Sequence, residues 1–583
     1  MKMPDPSSLL IRLKVLLPAV PVLIFLVYFF GFPVYQILEG AVYSAQEGFN
    51  LHQFERITKS AVYAKVLTTT FLISVLTAVL SVGLGYPIAY FLSRFSGKMQ
   101  KRWYVCLLVP FWTSYLVKAF AWILMLSRTG VLGSLSLKLG LTGDPFSLVP
   151  SLVAVLICMV HGMLPLAVLS MLPIMQGINR QLIQAAETLG ADRISSFVTV
   201  FLPLSIPGAA AGGLLVFITS LGFFITPALL GTPSQTMVAQ MVITAVQDLL
   251  DLKLAGALSV PLLVSAILIF FAYDRLVGLT SLAGETSTRL RKGGRLTAAL
   301  RGGWYLIGQA LSRLSLASRR LTSSIRLPYL KVYGLGVLIF LLLPIAIVIP
   351  IAFTNSPFLT FPPKGFSLKW FESFLFSPVW GAAILRSLIV ATITAGFALA
   401  LGLGASLSMA RLPEKWSKSL FAFLIAPLII PRIVIAVGLF YLFAQMGLAG
   451  TDSGLVIGHT VLAIPYVVVT MSAAFKQFDW RLDDAARILG ASYWARLRTI
   501  TLPLLLPGLI SSFLFAFITS FDELTIAIFV SGGLKTTLPK HMWDAVQLQV
   551  DPTLAAVSTV MVLVISIALL LPLLFEQRTS SGA

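Results

Sequence analysis

Long apolar runs alternate with short polar loops along the whole chain. The hydrocarbon core of a bilayer requires about 20 mostly apolar residues per helix, and runs of that length recur roughly twelve times. They begin near Val15, Val66, Trp103, Val149, Ile206, Leu254, Val332, Leu388, Leu420, Leu455, Leu505 and Leu554. The pattern predicts an all-α integral membrane protein with about twelve membrane-spanning helices.

The composition supports this prediction. Of the 583 residues, 58% are hydrophobic and only 11% are charged, and the mean hydropathy is +0.94. Soluble domains carry about 25% charged residues, so a soluble enzyme, a disordered chain and a nucleic-acid binder are poor fits. The first apolar run follows Lys2, Arg12 and Lys14 and lacks a small-residue cleavage pattern, which predicts a retained span and not a signal peptide.

The net charge of +20 comes from 42 lysines and arginines against 22 acids. If the N-terminus is cytoplasmic, the loops on that side hold two-thirds of these cations, which follows the positive-inside rule and places both termini in the cytoplasm. Residues 280–327 are rich in Ser, Thr, Gly and Arg, with Glu285 as their one acid. We expect a basic cytoplasmic linker that touches anionic headgroups, with a surface helix around Trp304–Leu316.

An internal repeat appears at an offset of 300 residues. Short identical segments recur in one register: Ala185, Ala186, Leu189 and Gly190 as Ala485, Ala486, Leu489 and Gly490, Leu202-Pro203 as Leu502-Pro503, and Phe217 to Ser220 as Phe517 to Ser520. The repeat predicts two parallel halves of six helices each, residues 1–279 and 328–583, related by an axis along the membrane normal.

The repeated segment is predicted to be a short cytoplasmic helix in both halves. An N-cap residue (Asn179, Asp479) and a glycine after the last turn (Gly190, Gly490) delimit each copy. Apolar residues at helical spacing form one face, and two adjacent alanines at its centre allow a close approach. Such a face suits insertion into a groove of a partner; the alternative is a helix that packs on its own bundle.

The pattern Ala-Ala, three residues, Gly, nine residues, an aliphatic residue, one residue and Leu-Pro resembles the cytoplasmic coupling motif of permease subunits of bacterial binding-protein-dependent ABC importers. Gln184 and Asp484 replace the glutamate that usually precedes the alanines. Residues 110–114 and 226–231 are similar to the first permease of polyamine-type importers, and residues 361–363, 520–523 and 537–539 to the second. The chain therefore resembles two fused permeases.

This resemblance implies the type I importer permease fold in the bacterial inner membrane. It implies two copies of an ABC ATPase, which hold ATP and Mg, and an extracytoplasmic solute-binding protein; lipid surrounds the chain, and no nucleic acid or cofactor is expected on it. The ATPase-coupling residues carried over are Gln184, Ala185, Ala186, Glu187, Gly190, Asp484, Ala485, Ala486, Arg487 and Gly490.

No enzyme site is recognisable in the sequence. Residues 532–536 lack the spacing of a phosphate-binding loop, and neither the four histidines nor the two cysteines, Cys106 and Cys158, form a catalytic or metal-binding constellation. We expect no ATP hydrolysis by this chain. His161 and His459, both in the fourth span of their half, are expected to hydrogen-bond between helices and not to contact solute.

Charges at membrane depth mark a candidate substrate path, because such charges are costly and are retained for function. Asp522 and Glu523 are expected in the outer half of the bilayer. They contact either solute or one of the cations Arg386, Arg432 and Lys118. The resemblance implies a path for cationic amines, to which the first half would contribute Trp112 and Lys118.

Arg432 follows a proline after which second permeases of polyamine importers tend to have an acid or a small polar residue. A cation at this position either repels a polyamine or pairs with the anionic group of a zwitterionic solute, such as an aminophosphonate or an amino-acid-like compound. The sequence leaves both possibilities open.

Two other classes compete with the importer. A twelve-helix secondary transporter also has two six-helix halves, but it predicts a Gly-Asp-Arg loop after the second span, where residues 94–102 have none. A channel or membrane scaffold would depend on neither ATP nor a binding protein. Neither class gives a reason for the paired Ala-Ala helices.

Overall fold

The fold is almost entirely helical in the computed structural model, which describes residues 15–44, 48–95, 97–276, 327–533, 535–548 and 551–579. Nearly all of the predicted linker, including the predicted surface helix around 304–316, lies outside these residues.

A two-stranded antiparallel hairpin, Tyr43–Ser44 with Gly48–Phe49, follows the first span. The helical segments of the first half are Leu17–Ala19, Val20–Leu26, Val27–Gly31, Phe32–Val42, His52–Lys59, Ala61–Ser93, Lys98–Trp112, Tyr115–Leu126, Val131–Lys138, Leu152–Gln176, Arg180–Thr188, Arg193–Ser196, Phe197–Phe201, Leu202–Leu221, Ile225–Leu230, Pro233–Gln235, Val238–Gln247 and Leu252–Leu276.

The second half repeats much of this order of elements. Its helical segments are Leu327–Ala352, Lys369–Leu375, Pro378–Arg411, Glu414–Leu424, Ala426–Ile429, Arg432–Met446, Asp452–Gln477, Trp480–Ile488, Tyr493–Arg496, Leu497–Thr501, Leu502–Phe521, Thr525–Val530, Leu538–Leu548 and Pro552–Thr579. Beyond residue 452, each helix begins within one residue of the position predicted by the 300-residue offset. The correspondence includes the π-helical turns Phe197–Phe201 and Leu497–Thr501, each of which precedes a Leu-Pro pair.

Ten helical segments of the described chain are long and apolar enough to cross a membrane. They are Leu17–Val42, Ala61–Ser93, Tyr115–Lys138, Leu152–Gln176, Arg193–Leu221, Leu252–Arg275, Tyr329–Ala352, Pro378–Arg411, Asp452–Gln477 and Trp494–Phe521. The ninth and twelfth predicted spans coincide with shorter apolar helices, Arg432–Met446 and Pro552–Ile567. The prediction of an all-α multi-pass membrane protein is confirmed.

The third and ninth of the twelve predicted spans, which begin near Trp103 and Leu420, are not the continuous helices that their apolar runs predict. The third consists of Lys98–Trp112 and Tyr115–Leu126, with a break at Thr113 and Ser114. The ninth ends its first helix at Leu424 and continues at Arg432 after Pro431. Ser114 accepts a hydrogen bond from the backbone N–H of Leu116 at 3.3 Å, while Pro431 has no N–H. Both therefore suit the start of a new helix.

The first span of each half packs against the opposite half. Gly404, in Pro378–Arg411, touches the backbone of Pro18, and Gly438 touches that of Pro33. In return, the hydroxyl of Tyr333 donates a hydrogen bond of 2.7 Å to the carbonyl oxygen of Leu84. The two halves are thus tied together by an exchange of helices.

Small residues let the central helices of each half approach closely. Gly85, in Ala61–Ser93, faces Val168, and Gly402, in Pro378–Arg411, faces Val467 and Val468, the second of which corresponds to Val168. Membrane helices associate through such close packing, since lipid removes most of the hydrophobic drive between them. The same contact in both halves builds two similar bundles.

We predict that Gly404→Ala destabilises the protein. The new Cβ would lie 2.3 Å from the carbonyl oxygen of Pro18, so the first span must shift, at a cost of about 1–3 kcal/mol. Thermal unfolding of the detergent-solubilised chain should show a lower midpoint. Gly396→Ala, in the same helix with nothing within 4 Å of the new Cβ, is the control and should leave the midpoint unchanged or raise it. Equal midpoints for the two variants would contradict the packing of the first span.

Candidate functional site

A cavity of about 260 Å³ lies between the two halves, where the third and ninth spans are broken. Trp112, Ser114 and Tyr115 line it from the first break, and Pro431 and Arg432 line it from the second. The start of a helix exposes backbone N–H groups without partners inside the helix. Two broken helices that meet in this way place polar backbone and polar side chains in the interior of the membrane protein.

The cavity wall is built from corresponding positions of the two halves. The matched pairs are Leu166 with Tyr466, Ile218 with Ile518, Thr219 with Thr519, Gly222 with Asp522, Phe224 with Leu524 and Ile225 with Thr525. Tyr115 and Arg432 also correspond, since each is the first residue of the helix after its break. The site is therefore pseudo-symmetric in its backbone, but its charges are not.

Arg432 and Asp522 are the charged side chains that line the cavity among the described residues. Arg432 donates a hydrogen bond of 3.4 Å from its guanidinium to the hydroxyl of Tyr466 and interacts electrostatically with Glu523 and Asp522. Both charges come from the second half. The first half contributes aromatic groups, including Trp112, whose ring stacks on Phe515 with centroids 5.3 Å apart.

Lys118 lies behind the cavity wall and is fully buried. Its ammonium is 4.1 Å from the ring centroid of Tyr115, and it interacts electrostatically with Asp522. Asp522 also faces the Ser114 hydroxyl. Of the three cations predicted as possible partners of Asp522, Lys118 and Arg432 are close to it, whereas Arg386 pairs with Asp452 at 2.9 Å.

Glu523 is buried but does not line the cavity. Its Oε2 accepts hydrogen bonds from the backbone N–H groups of Ile526 at 2.8 Å and Ala527 at 3.2 Å. The same oxygen lies 3.5 Å from His459 Nε2, whose Nδ1 is 2.8 Å from Ser520 Oγ. Glu523 thus holds the start of the helix Thr525–Val530, while its neighbour Asp522 faces the cavity.

The two membrane histidines connect helices, as expected. Nε2 of His161 is 2.9 Å from the carbonyl oxygen of Leu341 in the first span of the opposite half, and His459 contacts Ser520 in the helix Leu502–Phe521. Cys158 is buried with its sulfur 3.6 Å from Thr226 Oγ1, as expected of a packing residue.

Gly222 explains why the first half has no acid at the position of Asp522. A Cβ on Gly222 would lie 3.2 Å from Pro431 Cβ and 3.4 Å from the backbone nitrogen of Arg432. An aspartate there would press against the second break. In the reverse arrangement, Asp522 meets Ser114 of the first break, where there is room for a side chain.

The repeated cytoplasmic helices are Arg180–Thr188 and Trp480–Ile488, and neither has a buried residue. The predicted caps are present: Asn179 accepts from the N–H of Gln181 at 2.9 Å and Asp479 from that of Arg481 at 3.0 Å. Gly190 and Gly490 have φ values of +93° and +85°, the left-handed conformation of a helix C-cap.

The same apolar side chains project from both helices. Leu182 and Leu482 are 49% and 47% exposed, and Leu189 and Leu489 are 89% and 86% exposed. Gln184, Ala185 and Glu187 of the first helix and Asp484, Ala485 and Arg487 of the second are also exposed, whereas Ala186 and Ala486 are half-buried against the chain's own bundle. We call the leucines Leu182, Leu189, Leu482 and Leu489 the leucine ridges.

Comparison with known proteins identifies the family. Residues 400–581 match the family model of the binding-protein-dependent transport system inner membrane component. The spermidine/putrescine transport system permease protein PotC of Haemophilus influenzae is 32% identical over 230 residues, which are 40% of this chain and 89% of PotC. The chain belongs to this family. The secondary transporter and the channel are therefore ruled out as its class, and the chain is an importer permease of the inner membrane.

Two further relatives of this permease come from Escherichia coli. The putrescine transport system permease protein PotI is 32% identical over 227 residues, 38% of this chain and 80% of PotI. The spermidine/putrescine transport system permease protein PotB is 28% identical over 227 residues, 39% of this chain and 82% of PotB. Each alignment thus takes in most of a relative and less than half of this chain.

Solved structures similar to the permease include a bacterial alginate ABC transporter in complex with an alginate pentasaccharide-bound periplasmic protein. That chain has a TM-score of 0.40 and 17% identity, and the match covers 49% of this chain and 98% of that one. A second structure, of a bacterial ABC transporter involved in import of alginate, has a TM-score of 0.39 and 18% identity, with coverage of 47% and 98%.

The sequence did not point to several residues that line the cavity of the permease. Tyr115, Tyr466, Gly222 and Pro431 belong to the cavity, although none stands out by charge. Two sequence features could have indicated the helix breaks at which these residues lie: Ser114 is a good N-cap residue, and Pro431 interrupts an apolar run. Of the five residues predicted for the substrate path, Trp112, Arg432 and Asp522 line the cavity, while Lys118 and Glu523 lie behind it.

We predict that Glu523→Ala lowers stability and that Glu523→Gln restores most of it. Alanine leaves the N–H groups of Ile526 and Ala527 without their side-chain acceptor, whereas glutamine keeps one acceptor oxygen at the same reach. Loss of a helix-capping acceptor costs about 0.5–2 kcal/mol. Thermal unfolding in detergent measures both variants. Because both remove the negative charge, equal destabilisation would show that the charge of Glu523 matters and its capping bonds do not.

Proposed function

We propose that the two halves, residues 1–279 and 328–583, are two permease units in one chain that together form a solute path through the bacterial inner membrane. The observation that carries this proposal is the cavity at the two helix breaks, to which both halves contribute and into which Arg432 and Asp522 project. A path at such an interface can open to either side when the halves rock against each other.

We further propose that two copies of a separate ABC ATPase dock on the leucine ridges and drive this motion, with ATP and Mg bound to the ATPase. Two exposed helices of the same sequence register offer two equivalent docking points. Each ridge presents apolar side chains that lose water contact when a groove closes over them. In this arrangement the basic linker and both termini lie on the cytoplasmic side with the ATPases.

The solute is delivered by an extracytoplasmic binding protein, as the description of the family indicates for its members. Relatives of this chain are named for spermidine and putrescine transport. By analogy, we infer that the permease transports a small organic amine. The carboxylate of Asp522 supplies a counter-charge for an amine, and Arg432 leaves room for an anionic group on the same solute.

We predict that Leu182→Asp combined with Leu482→Asp prevents assembly with the ATPase encoded beside this chain. Burial of one leucine contributes about 1.5–3 kcal/mol, so loss of one per site should weaken binding about tenfold or more. Co-purification of the ATPase with the tagged permease measures the effect.

Leu141→Asp is the matched control for this pair. Leu141 is 72% exposed and lies outside both repeated helices. The control variant should retain the ATPase. Undiminished co-purification with the double variant would refute the docking site.

We predict that Gly190→Val combined with Gly490→Val separates ATP hydrolysis from transport. Neither new side chain meets an obstacle, but a β-branched residue at positive φ is strained, and relief of the strain would tilt each helix relative to its bundle. The complex should still hydrolyse ATP, but the solute-loaded binding protein should no longer stimulate this hydrolysis.

Gly447→Val imposes similar strain at φ +68°, also in open space, away from both repeated helices. Stimulation of the ATPase by the loaded binding protein should persist in this control. If the double variant keeps normal stimulation as well, the two glycines have no part in coupling.

A further inference from the structure

We propose that the cavity selects a small solute that bears one cationic and one anionic group and has no net charge. The inference rests on the proposed function, because it assigns a solute class to the same cavity. It rejects the alternative that the solute is a polycation, and the reason lies in how the charges around the cavity are distributed.

The ionisable groups at the cavity balance one another in formal charge. Arg432 and Asp522 line it, and Lys118 and Glu523 stand directly behind them. Two cations and two acids leave the cluster with no formal net charge. Because the interior has a low effective dielectric constant, a solute with several positive charges would add charge that nothing in this cluster neutralises.

Each lining charge remains able to bind a ligand. The guanidinium of Arg432 has one hydrogen bond, to Tyr466, and no carboxylate of the described residues lies within 4.0 Å of it. A guanidinium carries five donor hydrogens and prefers planar oxyanions. Oδ1 of Asp522 is buried without a hydrogen-bond partner in the described part of the chain, although the carboxylate as a whole faces the Ser114 hydroxyl and interacts electrostatically with Lys118. The cavity wall thus holds one charged group with free donor hydrogens and one with a free acceptor oxygen.

Glu523 does not supply a second acidic ligand on the cavity wall. Its Oε2 is held by the backbone of Ile526 and Ala527 and lies near His459, and although its Oε1 has no partner in the described part of the chain, the residue does not line the cavity. A linear diamine would thus find Asp522 for one ammonium group, while its other ammonium group would face Arg432. Two like charges in this cavity repel strongly, and the mismatch discriminates against the diamine.

The remaining wall suits a short apolar chain between the two charged groups. Trp112, Tyr115, Phe223 and Tyr466 line the cavity, and their rings offer contact area for methylene groups and a π face for an ammonium group. The asymmetry of the charges fixes the direction in which such a solute lies, with its amine towards Asp522 and its oxyanion towards Arg432.

Three unbranched four-carbon probes test the proposal: putrescine with two amines, 4-aminobutyrate with one amine and one carboxylate, and succinate with two carboxylates. Binding to the full-length chain in lipid nanodiscs is measured by titrated thermal shift. Intrinsic tryptophan fluorescence is a second readout, and a Trp112→Phe variant separates the signal of Trp112 from that of the other nine tryptophans. We expect 4-aminobutyrate to bind at least about tenfold more tightly than either other probe.

Variants of the lining charges should redirect the preference. Arg432→Gln removes the repulsion and should make putrescine the best of the three probes. Asp522→Asn should make succinate the best. Arg432→Lys keeps the cation but loses the bidentate fork, so it should keep the preference for 4-aminobutyrate at reduced affinity, which also shows that substitution at this position leaves a folded site.

Tightest binding of putrescine to the unaltered chain, or binding of none of the three probes, would overturn the inference. A preference that stays the same in Arg432→Gln and Asp522→Asn would overturn it as well. Co-purification of the ATPase is recorded on the same samples. A chain that assembles with the ATPase but prefers putrescine keeps the proposed function and loses only the solute class, whereas a chain that fails to assemble challenges the proposed function itself.

Discussion

The breaks in the third and ninth spans determine most of what surrounds them. A helix that stops inside a membrane leaves backbone N–H and C=O groups that lipid cannot satisfy, so both breaks must be enclosed by protein. Thr113 and Ser114 meet part of this demand in the first half with side-chain hydrogen bonds to Val109 and Leu116. The remaining polar surface of the breaks is shared between the halves, and the cavity forms there.

Enclosure of the breaks also explains the exchange of first spans. Each bundle alone would present its broken helix to lipid on one side. The helix Leu327–Ala352 lies against the first half, where Leu341 meets His161, and the first span lies in the same way against Gly404 and Gly438 of the second. The interface that holds the halves together is therefore continuous with the wall of the cavity.

The sequence predicted the membrane class, the repeat and the two capped cytoplasmic helices because these depend on local patterns: apolar length, identical register, and N-cap and glycine positions. It did not predict the helix breaks, because the apolar runs around Ser114 and Pro431 are continuous and hydropathy does not register a change in backbone direction. The sequence also did not predict that Asp522 and Glu523 have different roles. Adjacent acids look alike in sequence, and only the backbone turn after Ser520 directs one towards the cavity and the other towards the N–H groups of Ile526 and Ala527.

The contact of Gly222 with Pro431 has a consequence for how such a chain must be assembled. One half yields space at this point and the other supplies Asp522 and Arg432, so the halves are complementary and cannot replace each other. Two copies of the first half would bring together a pair of glycines and place no charge on the cavity wall, and two copies of the second would duplicate both wall charges around a single centre. Joining the halves in one polypeptide guarantees a ratio of one to one, and every molecule that is made carries a single, oriented site.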